Sequence, residues 1–398
     1  SSYERDMLTT GFKANLKTDN FLIKSVTSFQ HLNDLQEIDQ DFSPADLFFV
    51  NQDRNHNLFS QEFNFSGEIT DKTELVAGAF GFYQIRDKQV DIFYGEDAVD
   101  LYNLKSKMEK DKTYSKNTRG FAFFGQMKQH SFLMEDLDLT LGLRYDYEVN
   151  KLDYTYDILM GGSEIPKADF NHQLNFSEWL PKISLNYNWS NQFTHFFNIS
   201  KGYKSGGFNS TFEKPEDETF KPAYSWNYET GLKYRSKFIS ANFSLFYIDW
   251  RDQQVYQIDT IGSNGTTGPV LKNAAESVSK GAEVEFSVRP ATNISTFVNA
   301  GYTHAKFENY VKNPTDNEDY SGNFIPYIPR YTFSTGMNYR LLLPNNLINE
   351  LRFHFSYNGI GKHYWDNENS IKEDYYGLLN ASITGLIKNF QISIWGKN

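Results

Sequence analysis

A strict alternation of apolar and polar residues is the feature that most constrains how this chain folds. In residues 137–149 an apolar residue occupies every second position, from Leu137 to Val149, and polar residues or Gly142 lie between them. Successive side chains of a β-strand point to opposite faces, so this segment predicts a strand with one apolar and one charged face. The same period returns in residues 183–189, 282–288 and 351–357.

About sixteen segments of roughly 8 to 13 residues repeat this pattern along the 398-residue chain. A tilted strand needs about 9 to 11 residues to cross a bilayer, whereas a spanning helix needs an apolar run of about 18 or more, and no such run is present. The pattern therefore favours membrane-crossing strands over helices. The segments lie near 8–17, 21–29, 58–68, 74–86, 120–129, 137–148, 182–189, 192–202, 226–236, 239–250, 280–289, 293–305, 330–340, 350–360, 376–386 and 390–396.

The connections between these segments alternate between short and long. Short turns are expected at 18–20, 71–73, 191, 236–237, 290–292, 344–346 and 388–389, and long loops near 30–57, 87–119, 149–181, 203–225, 251–279, 306–329 and 361–375. Short turns on one rim and long loops on the other are typical of outer-membrane barrels. The predicted fold is therefore all-β, a transmembrane antiparallel up-and-down β-barrel in the outer membrane of a Gram-negative bacterium, with membrane lipid around it.

Composition excludes several other kinds of protein. The chain has no cysteine, which excludes a disulfide scaffold, a thiolate nucleophile and a cysteine metal site. Its net charge of -11 argues against a nucleic-acid partner, because phosphate binding needs clustered Lys and Arg. The eight histidines show no close pairing, and no catalytic constellation is recognisable. We therefore expect no metal site, no cofactor and no enzymatic activity.

Several stretches resemble TonB-dependent outer-membrane receptors, which import iron chelates and vitamins, and the similarity is greatest to receptors of the siderophore type. One is a strand-to-loop segment that ends in Gly206-Gly207-Phe208-Asn209, and another is the strand that contains Tyr228-Glu229-Thr230-Gly231-Leu232-Lys233. Further matching stretches follow in the family's order. The complete series is 196–209, 222–233, 245–255, 273–275, 280–285, 328–332 and 395–398.

The resemblance implies a barrel of 22 strands, an N-terminal plug domain and a TonB box. Neither plug nor TonB box is found in this sequence, so residues 1–398 are expected to form a partial barrel domain of about 16 strands, without the plug. About five strands would be missing before it and one after it. The implied function is TonB-dependent uptake of a ferric siderophore or a similar scarce ligand. The implied partners are the iron chelate or similar ligand, and the TonB energy-transducing complex, which would act through the missing plug.

Two sets of residues are candidates for function. Charged side chains that alternate with apolar neighbours should face the lumen, because a charge at mid-depth in hydrocarbon costs about 2 to 4 kcal/mol. These are Arg144, Glu229, Lys233, Glu283, Glu285, Arg340 and Arg352, and the apolar residues expected to face lipid include Leu139, Leu141, Leu143, Val284, Phe286, Phe353 and Phe355. Aromatic residues in the long loops are expected to contact ligand: Phe208, Phe212, Tyr224, Tyr256, Tyr310, Tyr327 and Trp365.

Two other functions remain open on the sequence. A passive porin or channel would share the barrel pattern but would conduct without a plug. A secreted soluble all-β protein that binds or cleaves glycans would use the same aromatic residues as sugar platforms. The need for detergent during extraction separates both barrels from the soluble protein.

Overall fold

The computed structural model describes residues 1–40, 42–209, 212, 215–261, 266–313, 318–344 and 348–398, without the side chains of 215, 258–261, 266–269 and 312–313. Strands make up 78% of the described residues and helix 2%. The helical elements within this range are α1 (Glu96–Leu101) and a 3-10 turn (Pro215–Asp217). No helix in the described part of the chain has the length and apolar character needed to span a membrane.

Twenty-two strands follow one another within the described residues. In chain order they are β1 (Ser2–Lys17), β2 (Phe21–Asp39), β3 (Phe48–Thr70), β4 (Thr73–Tyr94), β5 (Met108–Gln129), β6 (Leu137–Met160), β7 (Ser163–Ser190), β8 (Phe193–Lys204), β9 (Gly207–Phe208), β10 (Thr219–Phe220), β11 (Ala223–Arg235), β12 (Ile239–Ile261), β13 (Thr266–Ala291), β14 (Ile294–Asn309), β15 (Val311–Asn313), β16 (Glu318–Asp319), β17 (Tyr331–Leu342), β18 (Glu350–Ile360), β19 (His363–Tyr364), β20 (Lys372–Glu373), β21 (Tyr376–Ile387) and β22 (Phe390–Lys397).

Sixteen of these strands form one antiparallel sheet in which each strand pairs with the next along the chain. The other six form three two-stranded ribbons in the loops, β9 with β10, β15 with β16 and β19 with β20. The prediction of sixteen strands with nearest-neighbour pairing is confirmed. Among the described residues, β1 pairs only with β2 and β22 only with β21, so both edges of the sheet carry unpaired backbone groups.

Eight strands are much longer than the 8 to 13 residues that the sequence pattern indicated. β2 to β7, β12 and β13 contain 19 to 28 residues each. The loops predicted at 30–57, 87–119, 149–181 and 251–279 are therefore wrong in large part, since most of these residues continue the strands. The loop predicted at 149–181 is instead a hairpin that turns at Gly161 and Gly162, both with positive φ. By contrast, the described residues of 203–225, 306–329 and 361–375 lie largely in loops with short ribbons.

The reason for the longer strands lies in the phase of the alternation. Up to Val149 the apolar residues of β6 occupy odd positions, whereas beyond it Leu152, Tyr154 and Tyr156 occupy even ones. The backbone runs straight through this switch, paired with β7 on one side and β5 on the other. A strand leaving the membrane no longer needs an apolar outer face, so the apolar side chains can change faces without ending the strand.

The two faces of the sheet differ in the membrane-crossing segments. Apolar side chains on one face, here called the outer face, are exposed: Leu143 is 48% exposed and Phe355 42%. Charged residues such as Arg144 and Arg352 alternate with them and point to the opposite, inner face. On the inner face, aromatic rings lie over glycines of neighbouring strands. A Cβ added at Gly281 would stand 2.6 Å from Phe246 Cζ and would collide with a carbonyl oxygen on β14.

The sheet is curved, and the 205–222 loop between β8 and β11 shows this. Phe208 lies under the ammonium of Lys116 on β5, with the nitrogen 5.9 Å from the ring centre. The next residue, Asn209, donates a 3.0 Å hydrogen bond to the Leu271 carbonyl on β13. These strands are six spacings apart in the sheet, roughly 29 Å if it were flat. One loop reaches both because the wall curves around it.

Candidate functional site

Four of the seven aromatic residues predicted to contact ligand line one cleft at the long-loop end of the sheet. Tyr256, Tyr310, Tyr327 and Trp365 border a cavity of about 510 Å³. They come from the end of β12, from the loop between β14 and β17, and from the loop between β18 and β21. The wall is completed by residues that the sequence did not indicate: Gln253, Val255, Gln257, Phe307, Tyr320, Ile325, Pro326, Asp366, Asn367 and Glu368.

The aromatic residues of the cleft divide into an exposed rim and a buried floor. Tyr256 and Tyr327 are each 67% exposed and Trp365 is 42% exposed, whereas Tyr310 is completely buried. Tyr327 and Trp365 meet edge to face with ring centres 5.4 Å apart. Tyr310 packs against Phe307 and Tyr320 at 4.9 and 5.1 Å. The rim rings can therefore meet a ligand directly, while Tyr310 supports the floor beneath them.

Asparagine side chains join the two loops that carry most of this cleft. Asn369 accepts a 2.7 Å hydrogen bond from the Phe324 backbone nitrogen and donates one of 2.8 Å to the Phe324 carbonyl. Asn323 donates a 2.9 Å hydrogen bond to the Asn367 carbonyl. The Asn369 side-chain amide thus pairs with both the N–H and the C=O of Phe324, as the backbone of a neighbouring β-strand would. The relative position of Tyr327 and Trp365 is consequently fixed by backbone contacts as well as by their rings.

Two carboxylates give the cleft a negative character. Burial alone would raise the pKa of Asp366, but hydrogen bonds from Ser370 and the Ile371 backbone outweigh it and lower the pKa. Burial and a 2.8 Å hydrogen bond donated to Glu368 raise the pKa of the Tyr320 hydroxyl. The cleft therefore combines apolar rings, amide groups and two carboxylates. Such a surface suits a partly aromatic ligand with hydrogen-bonding groups.

The other three predicted ligand residues lie elsewhere. Phe208 and Phe212 are buried in an apolar cluster with Val50, Leu152 and Tyr154 on the inner face. Phe212 stands 4.9 Å from the Tyr154 ring centre, in tilted contact. Both phenylalanines therefore hold the 205–222 loop against the wall and are closed to solvent in this structure.

Tyr224, the second residue of β11, lies beside Tyr203, with ring centres 5.9 Å apart. The ammonium of Lys201 lies 5.0 Å from the Tyr224 ring centre and 2.5 Å from a Glu178 oxygen. Tyr224 is thus part of a polar cluster on the inner face and not of the cleft.

The 205–222 loop is held to β12 and β13 by polar side chains that the sequence did not indicate. Asn209 and Leu271 exchange a pair of hydrogen bonds. Asn273 accepts one from the Lys221 backbone at 2.6 Å and donates to the Lys221 and Asp252 carbonyls at 2.8 Å each. The only sequence signal was that Asn209 and Asn273 fall within the stretches that resemble a known family.

The predicted lumen residues lie on the inner face, but they do not converge on one site. Arg144 pairs with Asp146 at 2.7 Å and Arg352 with Glu350 at 2.6 Å, each within its own strand. Glu229 and Glu285 accept hydrogen bonds of 3.2 and 2.9 Å from Asn198 and Asn242 on neighbouring strands. The Lys233 ammonium lies 4.6 Å from the Phe196 ring centre. Glu283 lines a shallow groove, and the side chain of Arg340 points to the same face.

The sequence of this chain is similar to those of known β-barrel proteins. The profile of the family described as "TonB dependent receptor-like, beta-barrel" matches residues 1–398. The pesticin receptor of Yersinia enterocolitica is 24% identical over 377 residues, which cover 92% of this chain and 49% of that receptor. This chain therefore spans about half the length of the curated relatives it matches.

Two solved structures share the fold. The ferric yersiniabactin uptake receptor of Yersinia pestis superposes with a TM-score of 0.80 at 20% identity, over all of this chain and 56% of that one. A siderophore receptor of Acinetobacter baumannii gives a TM-score of 0.73 at 14% identity, over 99% of this chain and 60% of that one. At these identities the similarity establishes the fold of the wall.

Proposed function

Since this chain belongs to the β-barrel family of TonB-dependent receptors, we propose that it forms the wall of a receptor for a ferric siderophore or a similar scarce ligand. The curated relative is a pesticin receptor, and the structural neighbours are siderophore receptors. The family is one of receptors, and the proposal includes no catalytic step.

The aromatic cleft is the observation that carries this proposal. Its volume of about 510 Å³ lies within the range of small-molecule sites, roughly 300 to 1,000 Å³. Exposed rings at Tyr256, Tyr327 and Trp365 would cover the apolar parts of a chelate, and the neighbouring amides would orient its polar groups. Large apolar patches that are exposed to water mark interaction sites, so these exposed rings support a ligand-binding role for the cleft.

The remaining parts of the proposal concern the rest of the receptor. We place residues 1–398 in the outer membrane as part of a longer barrel, with the outer-face apolar residues against lipid. The further strands and the plug would belong to the whole receptor, and the TonB complex would act through that plug. The matched relatives, about twice as long as this chain, are consistent with such a division.

Uptake by the full-length receptor tests the proposal. It would be expressed in a Gram-negative strain that lacks its own siderophore receptors, with ferric yersiniabactin as the first chelate and other ferric siderophores after it. We expect iron-limited growth on one such chelate, lost when TonB is deleted. The triple replacement Tyr256→Ala, Tyr327→Ala and Trp365→Ala should weaken binding at least tenfold.

A matched control replaces exposed apolar side chains away from the cleft, Phe42→Ala and Leu101→Ala, which are 82% and 62% exposed. These changes should leave uptake intact. Transport that persists without TonB would refute the receptor assignment, and an equal loss in the control variant would refute the role of the cleft.

A further inference from the structure

Three basic side chains gather around two aromatic rings near the long-loop ends of β14, β17 and β18. The Lys306 ammonium lies 4.6 Å from the centre of the Phe324 ring, and the guanidinium carbon of Arg330 lies 3.7 Å from the same centre. The Tyr364 ring stacks on Phe324 with ring centres 6.0 Å apart, and the Lys362 ammonium lies 5.1 Å from the Tyr364 centre. The two stacked rings therefore hold three positive charges close to one another.

A fourth basic side chain, Lys280, joins this group through strand pairing. Lys280 on β13 is directly opposite His304 on β14, whose ring centre lies 5.3 Å from that of Phe324. Side chains directly opposite each other in antiparallel strands have Cβ atoms about 5 Å apart. We call Lys280, Lys306, Arg330 and Lys362 the outer basic patch.

The patch lies on the outer face of the wall. Strand alternation places Lys280 on the same face as Val284, and Lys306 on the same face as Tyr302, and both of these apolar side chains are 41% exposed. Phe307, the residue after Lys306, points the other way and lines the aromatic cleft. The patch and the cleft are therefore on opposite sides of the same wall.

The height of the patch places it at the edge of the membrane. Lys306 follows Ile294, at the short-turn rim, by twelve positions. At about 3.3 Å per residue and a tilt near 40°, this is roughly 30 Å, just beyond an apolar band of about 25 Å. Below it, the exposed rings of Tyr302 and Tyr331 meet with centres 5.3 Å apart. Tyrosines on the outer face mark the membrane interface, so the patch lies at the level of the lipid headgroups.

The positive charge of the patch is not neutralised within the described residues. In this part of the chain, none of its four cations lies within ion-pair distance of a carboxylate. Glu276 and Glu308, the nearby acids on the same face, pair instead with Arg251 at 2.7 and 3.9 Å. Arg330 Nε is buried and donates no hydrogen bond to any described residue. The ring of Phe324 attracts the cations but carries no net charge, so an anion can still be bound.

We propose that the outer basic patch binds the phosphate groups of a lipid in the outer leaflet. This inference rests on the membrane placement in the proposed function and concerns the surrounding lipid, not the transported ligand. The occupant is a lipid because the patch is continuous with the apolar outer face, so acyl chains can lie on that face while the phosphates reach the cations above it. Arg binds phosphate in a bidentate fork, Lys adds point charge, and clustered basic residues at the membrane surface attract anionic headgroups.

Native mass spectrometry of the purified full-length receptor measures lipid binding without any transport step. The probes are lipid A with both of its phosphates and the same lipid with both phosphates removed. The phosphorylated lipid should bind at least tenfold more tightly than the dephosphorylated one. Lys306→Gln with Arg330→Gln should weaken binding of the phosphorylated lipid at least tenfold. The matched control, Lys107→Gln with Lys151→Gln, removes two exposed lysines that pair with carboxylates at 3.0 and 3.8 Å, and it should leave lipid binding unchanged.

Folding is checked separately by the heat-dependent mobility of the barrel in detergent gels. The variant Lys306→Arg, which keeps the charge, should bind the phosphorylated lipid like the wild type. Equal binding of the two lipids by the wild type, or wild-type binding by the Lys306→Gln and Arg330→Gln double variant, would overturn the lipid site. Inorganic phosphate that raises the melting temperature as much as the phosphorylated lipid does would also overturn it, because the acyl chains would then contribute nothing. Lipid binding that is intact in a receptor whose iron uptake does not need TonB would instead overturn the proposed function alone.

Discussion

Replacing Asn273 by alanine should detach one end of the 205–222 loop from the barrel wall. The side chain makes three hydrogen bonds of 2.6 to 2.8 Å, two with Lys221 and one with Asp252. A net value of 0.5 to 1.5 kcal/mol each gives about 1.5 to 4.5 kcal/mol. Lys221 is exposed, so water replaces the lost partners and the lower end applies. We expect about 1.5 to 2 kcal/mol, roughly a 10- to 30-fold rise in loop opening.

Hydrogen exchange read by mass spectrometry measures this opening locally, because the Lys221 amide itself donates to Asn273. Peptides that cover 215–225 should exchange 10 to 30 times faster in Asn273→Ala. Peptides from β6 and β7 should keep wild-type rates. Asn242→Ala is the matched control, since that amide donates to Glu285, away from the loop. Unchanged exchange at 215–225, or an equal increase in the control, would refute the assignment of Asn273 as the anchor.

Two further results are expected. Leu143→Arg on the outer face should cost about 2 to 4 kcal/mol in urea titrations in lipid vesicles, whereas Gln126→Arg on the inner face should cost less than 1 kcal/mol. Gly281→Ala should impair assembly by about 1 to 3 kcal/mol because its Cβ meets the Phe246 ring and a carbonyl oxygen, while Gly385→Ala, whose nearest neighbour is 3.5 Å away, should assemble normally in heat-mobility gels.

The sequence was sufficient for the number, order and pairing of the main strands. Alternation such as that of Leu139, Leu141 and Leu143 is imposed by the lipid on one side, and lipid contact is a property of the local segment. Strand length was underestimated because this constraint ends with the membrane. Beyond Val149 the apolar residues move to the inner face, and a long loop was predicted at 149–181 where β6 and β7 in fact continue.

The candidate site could be predicted only in part, since its assembly depends on contacts between distant loops. Tyr256, Tyr327 and Trp365 were chosen as aromatic residues in loops, and the structure brings them to one cleft. The same criterion also selected Phe208 and Phe212, whose rings are buried because the loop folds back onto the wall. Residue type alone does not distinguish these cases.

The long strands affect both the association rate and the affinity of a ligand. Tyr256, at the rim of the cleft, projects from the paired strands β12 and β13. A side chain on a mobile loop loses about 0.5 to 1.5 kcal/mol of conformational freedom when a ligand immobilises it, and its backbone must also be ordered. For a group carried by a hydrogen-bonded sheet, the backbone part of that cost has already been met during folding. An arriving ligand therefore meets a rigid surface at the entrance, and its association requires little rearrangement of the wall.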